Sequence, residues 1–146
     1  MLNYIIREKE DWNQFVLFIH KNFREKRIFL LKGNLGAGKT TFVQAFCKML
    51  NCSEHVTSPT FSILNIYHDD KKNPIYHFDL YRLKSLYELK DIGFEDYLYS
   101  GNYCFIEWPD LAIDLIKSDD CLIKTTLEVN IQFIPELNYR DIFIKE

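Results

Sequence analysis

The stretch Gly33-Asn34-Leu35-Gly36-Ala37-Gly38-Lys39-Thr40-Thr41 is a complete G-x-x-x-x-G-K-[ST] pattern, and its reading decides the fold. Glycines at 33, 36 and 38 allow backbone conformations that a side chain forbids, so successive N–H groups can converge on phosphate oxygens. Lys39 carries a compact charge on a flexible stem, suited to β- and γ-phosphates. The Thr40 hydroxyl is a hard oxygen ligand of the kind Mg²⁺ takes. An apolar run, Ile28-Phe29-Leu30-Leu31, enters the loop, and Thr41-Phe42-Val43-Gln44-Ala45-Phe46 leaves it with helical character. A strand, a glycine-rich loop and a helix whose positive end faces the loop make an anion site. The expected fold is therefore α/β and three-layered, like that of the P-loop NTPases. Its central sheet should be mainly parallel, closed by antiparallel strands.

The bulk properties fit that frame. A chain of 146 residues with 47% hydrophobic and 27% charged residues suits one domain over 1–146 with a real core. A net charge of −3 argues against a chain that holds nucleic acid alone by neutralising phosphates. No apolar run approaches membrane-spanning length, and the first residues lack a signal-peptide pattern, so no membrane association and a cytoplasmic location are expected. Cys47, Cys52, Cys104 and Cys121 form no metal-binding spacing and read as reduced, mostly buried thiols.

Before the loop, Leu2 to Ile6 reads as an edge strand. Trp12, Phe15, Val16 and Ile19 form the apolar stripe of a helix with Asp11 as its N-cap. The helix after the loop should run to about Leu50 and stop at Asn51. Next comes Val56-Thr57-Ser58-Pro59-Thr60-Phe61, where residue types alone favour an ordinary turn over a γ-phosphate-sensing segment. Phe61–Tyr67 and Ile75–Asp79 read as a hairpin. Asp79, at a strand's C-terminal end, stands where open α/β sheets bind ligands, and capping the following helix is an equal competitor. Leu83–Lys90 and Asp110–Ile116 read as helices. Tyr103-Cys104-Phe105-Ile106-Glu107 is an apolar strand ending in a carboxylate, a Walker B pattern with Glu in place of Asp, and Trp108-Pro109 turns the chain away from it. Cys121–Phe133 and Tyr139–Ile144 read as two antiparallel closing strands.

Three kinds of nucleotide protein compete on these features. A guanine-selecting N-K-x-D and a D-x-x-G switch are both absent, which disfavours a GTPase. The arginines, Arg7, Arg24, Arg27, Arg82 and Arg140, are scattered, which disfavours a small kinase with an arginine-rich lid. A small ATPase that acts as a switch needs neither feature. A non-catalytic ATP-binding adaptor is the rival from another class.

Four stretches occur together and in order: the phosphate loop, Ser58-Pro59-Thr60-Phe61, His77-Phe78-Asp79-Leu80-Tyr81-Arg82-Leu83 and Ile106-Glu107-Trp108-Pro109. With them the chain, over residues 12–144, closely resembles the TsaE family of small ATPases of bacterial threonylcarbamoyladenosine synthesis on tRNA. The resemblance implies an ATPase that joins TsaB and TsaD and lets threonylcarbamoyl transfer turn over, with tRNA met through that complex. It implies ATP held by Gly33 through Thr41, and Mg²⁺ held by Thr40 and Glu107. Ser58 and Thr60 would form a switch-like loop, reversing the preference for a plain turn. Asp79 would act near the γ-phosphate and Trp108 would lie beside the nucleotide. Lys39, Asp79 and Glu107 are then the catalytic candidates, with Asp79 orienting water and Glu107 binding metal, although the two carboxylates could exchange roles. The chain departs from the family at two positions. Asn34 replaces a usual acidic residue, and Trp12 falls where many relatives carry a threonine near the adenine, so no adenine contact is assigned.

Overall fold

A computed structural model of the chain describes residues 1–146 and contains one seven-stranded sheet. In chain order the elements are β1 (Leu2–Ile6), α1 (Lys9–Asn22), β2 (Ile28–Lys32), α2 (Lys39–Met49), β3 (Leu64–His68), β4 (Pro74–Asp79) and α3 (Leu86–Asp91). They continue with α4 (Phe94–Leu98), β5 (Cys104–Glu107), α5 (Asp110–Lys117), α6 (Asp120–Thr125), β6 (Thr126–Ile134) and β7 (Tyr139–Lys145). The sheet runs β1-β7-β6-β2-β5-β4-β3. The central four strands, β6, β2, β5 and β4, are mutually parallel. β7 and β1 close one side antiparallel, and β3 closes the other.

Burial explains the parallel centre. Ile28, Phe29, Leu30 and Leu31 are all buried, because helices cover both faces of β2. Phe29 and Leu31 face a cluster with Trp12, Phe15, Val16 and Ile19 of α1 and Phe42, Val43 and Phe46 of α2. Ile28 and Leu30 face the opposite cluster, made with Leu89, Phe94, Leu98, Ala112, Ile116 and Leu122 from α3 through α6. The chain thus leaves β2 for one face and leaves β5 for the other. A crevice opens between neighbouring parallel strands at such a point, outside their C-terminal ends. Leu31 is level with Glu107, and Glu107 is level with Asp79, so that edge carries the phosphate loop and both carboxylates.

Several local expectations change. Glu8 is the N-cap of α1, while Asp11 sits one turn in and accepts from the backbone N–H groups of Arg7 and Glu8 at 2.8 and 2.9 Å. Asp11 reaches back over the start of the helix and does not begin it. Residues 121–125 are helical, not extended: Asp119 accepts from the Cys121 and Leu122 N–H groups, and this cap overrides the β-prone Cys-Leu-Ile run. The first hairpin strand begins at Leu64, because Phe61 to Ile63 form a turn closed by Ile63 N–H to Pro59 carbonyl at 2.7 Å. The helix expected from Leu83 begins at Leu86, after the N-cap Ser85. Asp79 therefore caps no helix; its Oδ1 accepts from Tyr81 N–H at 2.9 Å within a turn. All four cysteines are free, but only Cys47 and Cys104 are buried, with Cys52 half-buried and Cys121 exposed. Burial pushes the Cys47 and Cys104 thiols above the usual range. No helix is long and apolar enough to cross a membrane.

Candidate functional site

A cavity of about 410 Å³ opens at the crevice, lined by Leu35, Gly36, Gly38, Lys39, Thr40, Thr41, Ser58, Thr60, Asp79, Tyr81, Glu107 and Trp108. Every residue there except Tyr81 is a candidate from sequence. The remaining candidates, Gly33, Asn34 and Ala37, lie on the far side of the loop. They line an adjoining cavity with Asn130, Ile131, Gln132, Phe133 and Pro135.

The loop's glycines are needed where it meets the core. Gly33 has φ +149°, and a Cβ there would stand 2.4 Å from the Ile131 carbonyl oxygen. Gly38 has φ +122°, and its Cβ would meet the Trp12 ring at 2.7 Å. Trp12, 4% exposed, is thus a wedge behind the loop, packed edge-on to Phe15. Arg140 ties β7 to the loop by donating from Nε to the Ala37 carbonyl at 3.2 Å.

Lys39 folds back under the loop. Its Nζ donates to the carbonyls of Gly33 and Asn34 at 2.6 and 3.0 Å and lies 4.1 Å from the centre of the Trp108 ring. Burial lowers its pKa below the usual lysine value, and the charges of Glu107 and then Asp79 act the other way. Trp108 holds φ +54°, a backbone conformation uncommon for a bulky residue, and packs on Tyr81 with ring centres 4.9 Å apart.

The two carboxylates are neighbours with different partners. Glu107 Oε1 accepts from the Thr40 hydroxyl at 2.8 Å and lies 2.8 Å from His77 Nε2. Asp79 Oδ2 accepts from Thr60 at 2.8 Å and from Ser58 at 3.3 Å, while the two hydroxyls lie 2.8 Å apart. Asp79 and Glu107 are 1% and 3% exposed, so their few contacts with the cavity are directed ones. No cluster of three His, Cys, Asp or Glu residues could cage a metal. A carboxylate beside a hydroxyl is the sparse hard-oxygen set that Mg²⁺ shares with water and phosphate.

Sequence reading missed two participants and the partner of a third. Tyr81 and His77 both lie inside the quoted H-F-D-L-Y-R-L run without a role. The period of two already puts His77 on the same face as Asp79, while Phe78 turns to the other core. Arg82 and Arg140 are the sequence's two candidates for an arginine finger, but nothing local announces the bond of Arg140 to Ala37, 103 residues away.

These features define an α/β protein with a glycine-rich loop and paired carboxylates at the C-terminal edge of the parallel strands. Residues 6–134 match the family model described as "Threonylcarbamoyl adenosine biosynthesis protein TsaE". A Rickettsia prowazekii tRNA threonylcarbamoyladenosine biosynthesis protein TsaE is 37% identical over 127 residues, covering 86% of this chain and 85% of the relative. The Treponema pallidum protein of the same name is 36% identical over 106 residues, covering 73% and 77%. The crystal structure of Bacillus subtilis YdiB superposes with a TM-score of 0.72 at 24% identity, covering 97% of this chain and 82% of that one, which shows a shared fold. The chain belongs to the TsaE family of tRNA threonylcarbamoyladenosine biosynthesis.

Proposed function

We propose that this chain is a Mg²⁺-dependent ATPase with a P-loop NTPase-like fold, working in the cytoplasm with TsaB and TsaD during threonylcarbamoyl transfer to tRNA. The observation that carries the reading is one juxtaposition. Lys39, Gly36, Gly38, the Thr40–Glu107 pair and Asp79 all line one cavity of about 410 Å³. Phosphoryl transfer needs positioned charge and little covalent help from protein, and this edge supplies positioned charge.

Each residue has a defined task. The loop amides and Lys39 bind the phosphates, for which Lys39 must exchange its two carbonyl acceptors for phosphate oxygens. Thr40 and Glu107 would hold Mg²⁺, which neutralises charge on the β- and γ-phosphates. Asp79 orients the attacking water. A carboxylate offers about four acceptor positions, and Ser58, Thr60 and Tyr81 N–H fill three of Asp79's. The two hydroxyls fill both positions of Oδ2, and their release frees that oxygen for water. Docking on TsaB and TsaD is the event we assign to that release, so the isolated chain hydrolyses ATP slowly.

Phosphate release from Mg²⁺–ATP, with and without TsaB and TsaD, tests the proposal. Slow release alone that rises clearly with both partners supports it. ATP binding with no release in either condition would instead leave a non-catalytic adaptor. The scattered arginines give no support to a kinase lid.

A further inference from the structure

His77 is completely buried, yet its ring bridges the hairpin and the site. Nε2 lies 2.8 Å from Glu107 Oε1, and Nδ1 lies 3.0 Å from the Tyr67 hydroxyl. Which nitrogen carries the proton follows from counting donors and acceptors. Asn65 Nδ2 has two N–H groups and two acceptors in reach, the Thr57 carbonyl at 3.2 Å and the Tyr67 oxygen at 3.3 Å. Tyr67 has one proton and two acceptors, the same Thr57 carbonyl at 3.0 Å and His77 Nδ1. Asn65 already serves Thr57, whereas Nδ1 has no other donor. The Glu107 carboxylate accepts only, so it needs an N–H from Nε2. Placing the ring proton on Nε2, and turning the Tyr67 O–H to Nδ1, leaves no buried partner unpaired.

We propose that His77 is a positioning residue for Glu107, held as the Nε2–H tautomer by Tyr67 and Asn65. This rests on the reading of Glu107 as a magnesium-holding group. Oε1 is pinned between two donors, the Thr40 hydroxyl and the His77 N–H, both at 2.8 Å. Oε2 receives no protein donor and is the oxygen left for the cavity that Glu107 lines. Without His77, Thr40 alone restrains the carboxylate, whose terminal torsion is broad and soft. Partners behind a metal-holding group fix its orientation in this way.

The first test is nitrogen-15 NMR of the histidine rings in the full chain without nucleotide. The Nε2-protonated pattern is expected for His77; a proton on Nδ1, alone or with Nε2, overturns the assignment. The second test measures Mn²⁺ uptake with ADP by electron paramagnetic resonance. His77→Leu should weaken uptake by about tenfold or more, the range seen when such supporting partners are lost. His77→Gln, which keeps an N–H donor, should recover most of it. A folded His77→Leu chain with wild-type uptake overturns the proposal. Should His77→Leu not fold, Tyr67→Phe carries the test: loss of the Nδ1 partner must reduce the Nε2–H population, and an unchanged spectrum overturns the proposal. A wild-type chain that binds ADP but takes up no Mn²⁺ contradicts the magnesium reading itself. The tautomer, read without nucleotide, stands or falls separately.

Discussion

The two walls of the cavity are built differently. The phosphate loop is clamped from behind: Gly33 lies against Ile131, Gly38 lies against Trp12, and Ala37 takes a bond from Arg140. Its carboxylate, Glu107, is fixed by Thr40 and by His77, a ring with no exposed surface. The opposite wall, residues 57–63, is tied down by a handful of bonds. Ser58 and Thr60 reach Asp79, Thr57 takes a bond from Asn65, and Phe61 is 83% exposed. Ile63 in that wall has φ +69°, a costly conformation for a β-branched side chain. On the proposed function, phosphate binding falls to the wall with little freedom, and Asp79 answers to the wall that can rearrange. A switch needs that division, since only an element with few buried contacts changes state at low energy.

The first way to break the comparison is to disable the clamped wall. Lys39→Ala removes a positioned charge from the phosphates, and hydrolysis should fall by about 100- to 1000-fold or more. Circular dichroism should show the fold intact, and near-normal phosphate release in a folded variant would refute the loop's role. Gly33→Ala addresses the clamp itself. Its Cβ meets backbone at the Ile131 carbonyl, so the melting temperature should drop by several degrees, as about 1–3 kcal/mol of strain implies. An unchanged melting curve would show that the loop is less constrained than its geometry indicates.

The carboxylates sharpen the comparison. Asp79→Asn should lower the maximal rate by about tenfold or more, the scale of a lost proton-accepting or water-orienting group, with little change in Mg²⁺ demand. Glu107→Gln should mainly raise the Mg²⁺ concentration needed. A magnesium titration with the opposite pattern would exchange their roles. Smaller effects belong to the loose wall: Thr60→Ala should change partner-stimulated release more than Ser58→Ala, because its bond to Asp79 is 2.8 Å against 3.3 Å.

The mildest effect is a pH dependence. The pKa of Lys39 is lowered by burial, so its charge is lost at a lower pH than that of a free lysine. Phosphate binding should therefore weaken as pH rises, beginning below the ordinary lysine value of 10.5. Folding stability has the opposite sign. Between the folded and unfolded pKa values the unfolded chain holds more protons, so this lysine's cost to stability is relieved as pH rises. Calorimetric titration of ADP across the alkaline range checks the binding arm, and a flat profile would contradict the burial.

Much of this site was legible because its signals are local. Nine consecutive residues specify the glycine-rich loop at the cavity, and one strand end each marks Asp79 and Glu107. The parallel centre was legible from β2, whose unbroken apolar run tells of cover on both faces. What could not be read depended on distant partners. Nothing beside Arg140 announces Ala37, and nothing beside His77 announces both Tyr67 and Glu107. Residues 121–125 misled because a single cap at Asp119 outweighed a strand-like composition. Asp79 looked like a helix cap because the turn after it, which delays α3 until Leu86, has no strong signature of its own.

The central claim is that the clamped wall receives the phosphates of a magnesium-bound nucleotide. Amide NMR of the full chain during titration with Mg²⁺–ADP tests it at residue level. The account predicts the largest shifts at Gly36 to Thr41, saturating together with a shift at Glu107 that requires Mg²⁺. Shifts confined to other surfaces, or a phosphate loop unmoved at saturating nucleotide, would contradict it.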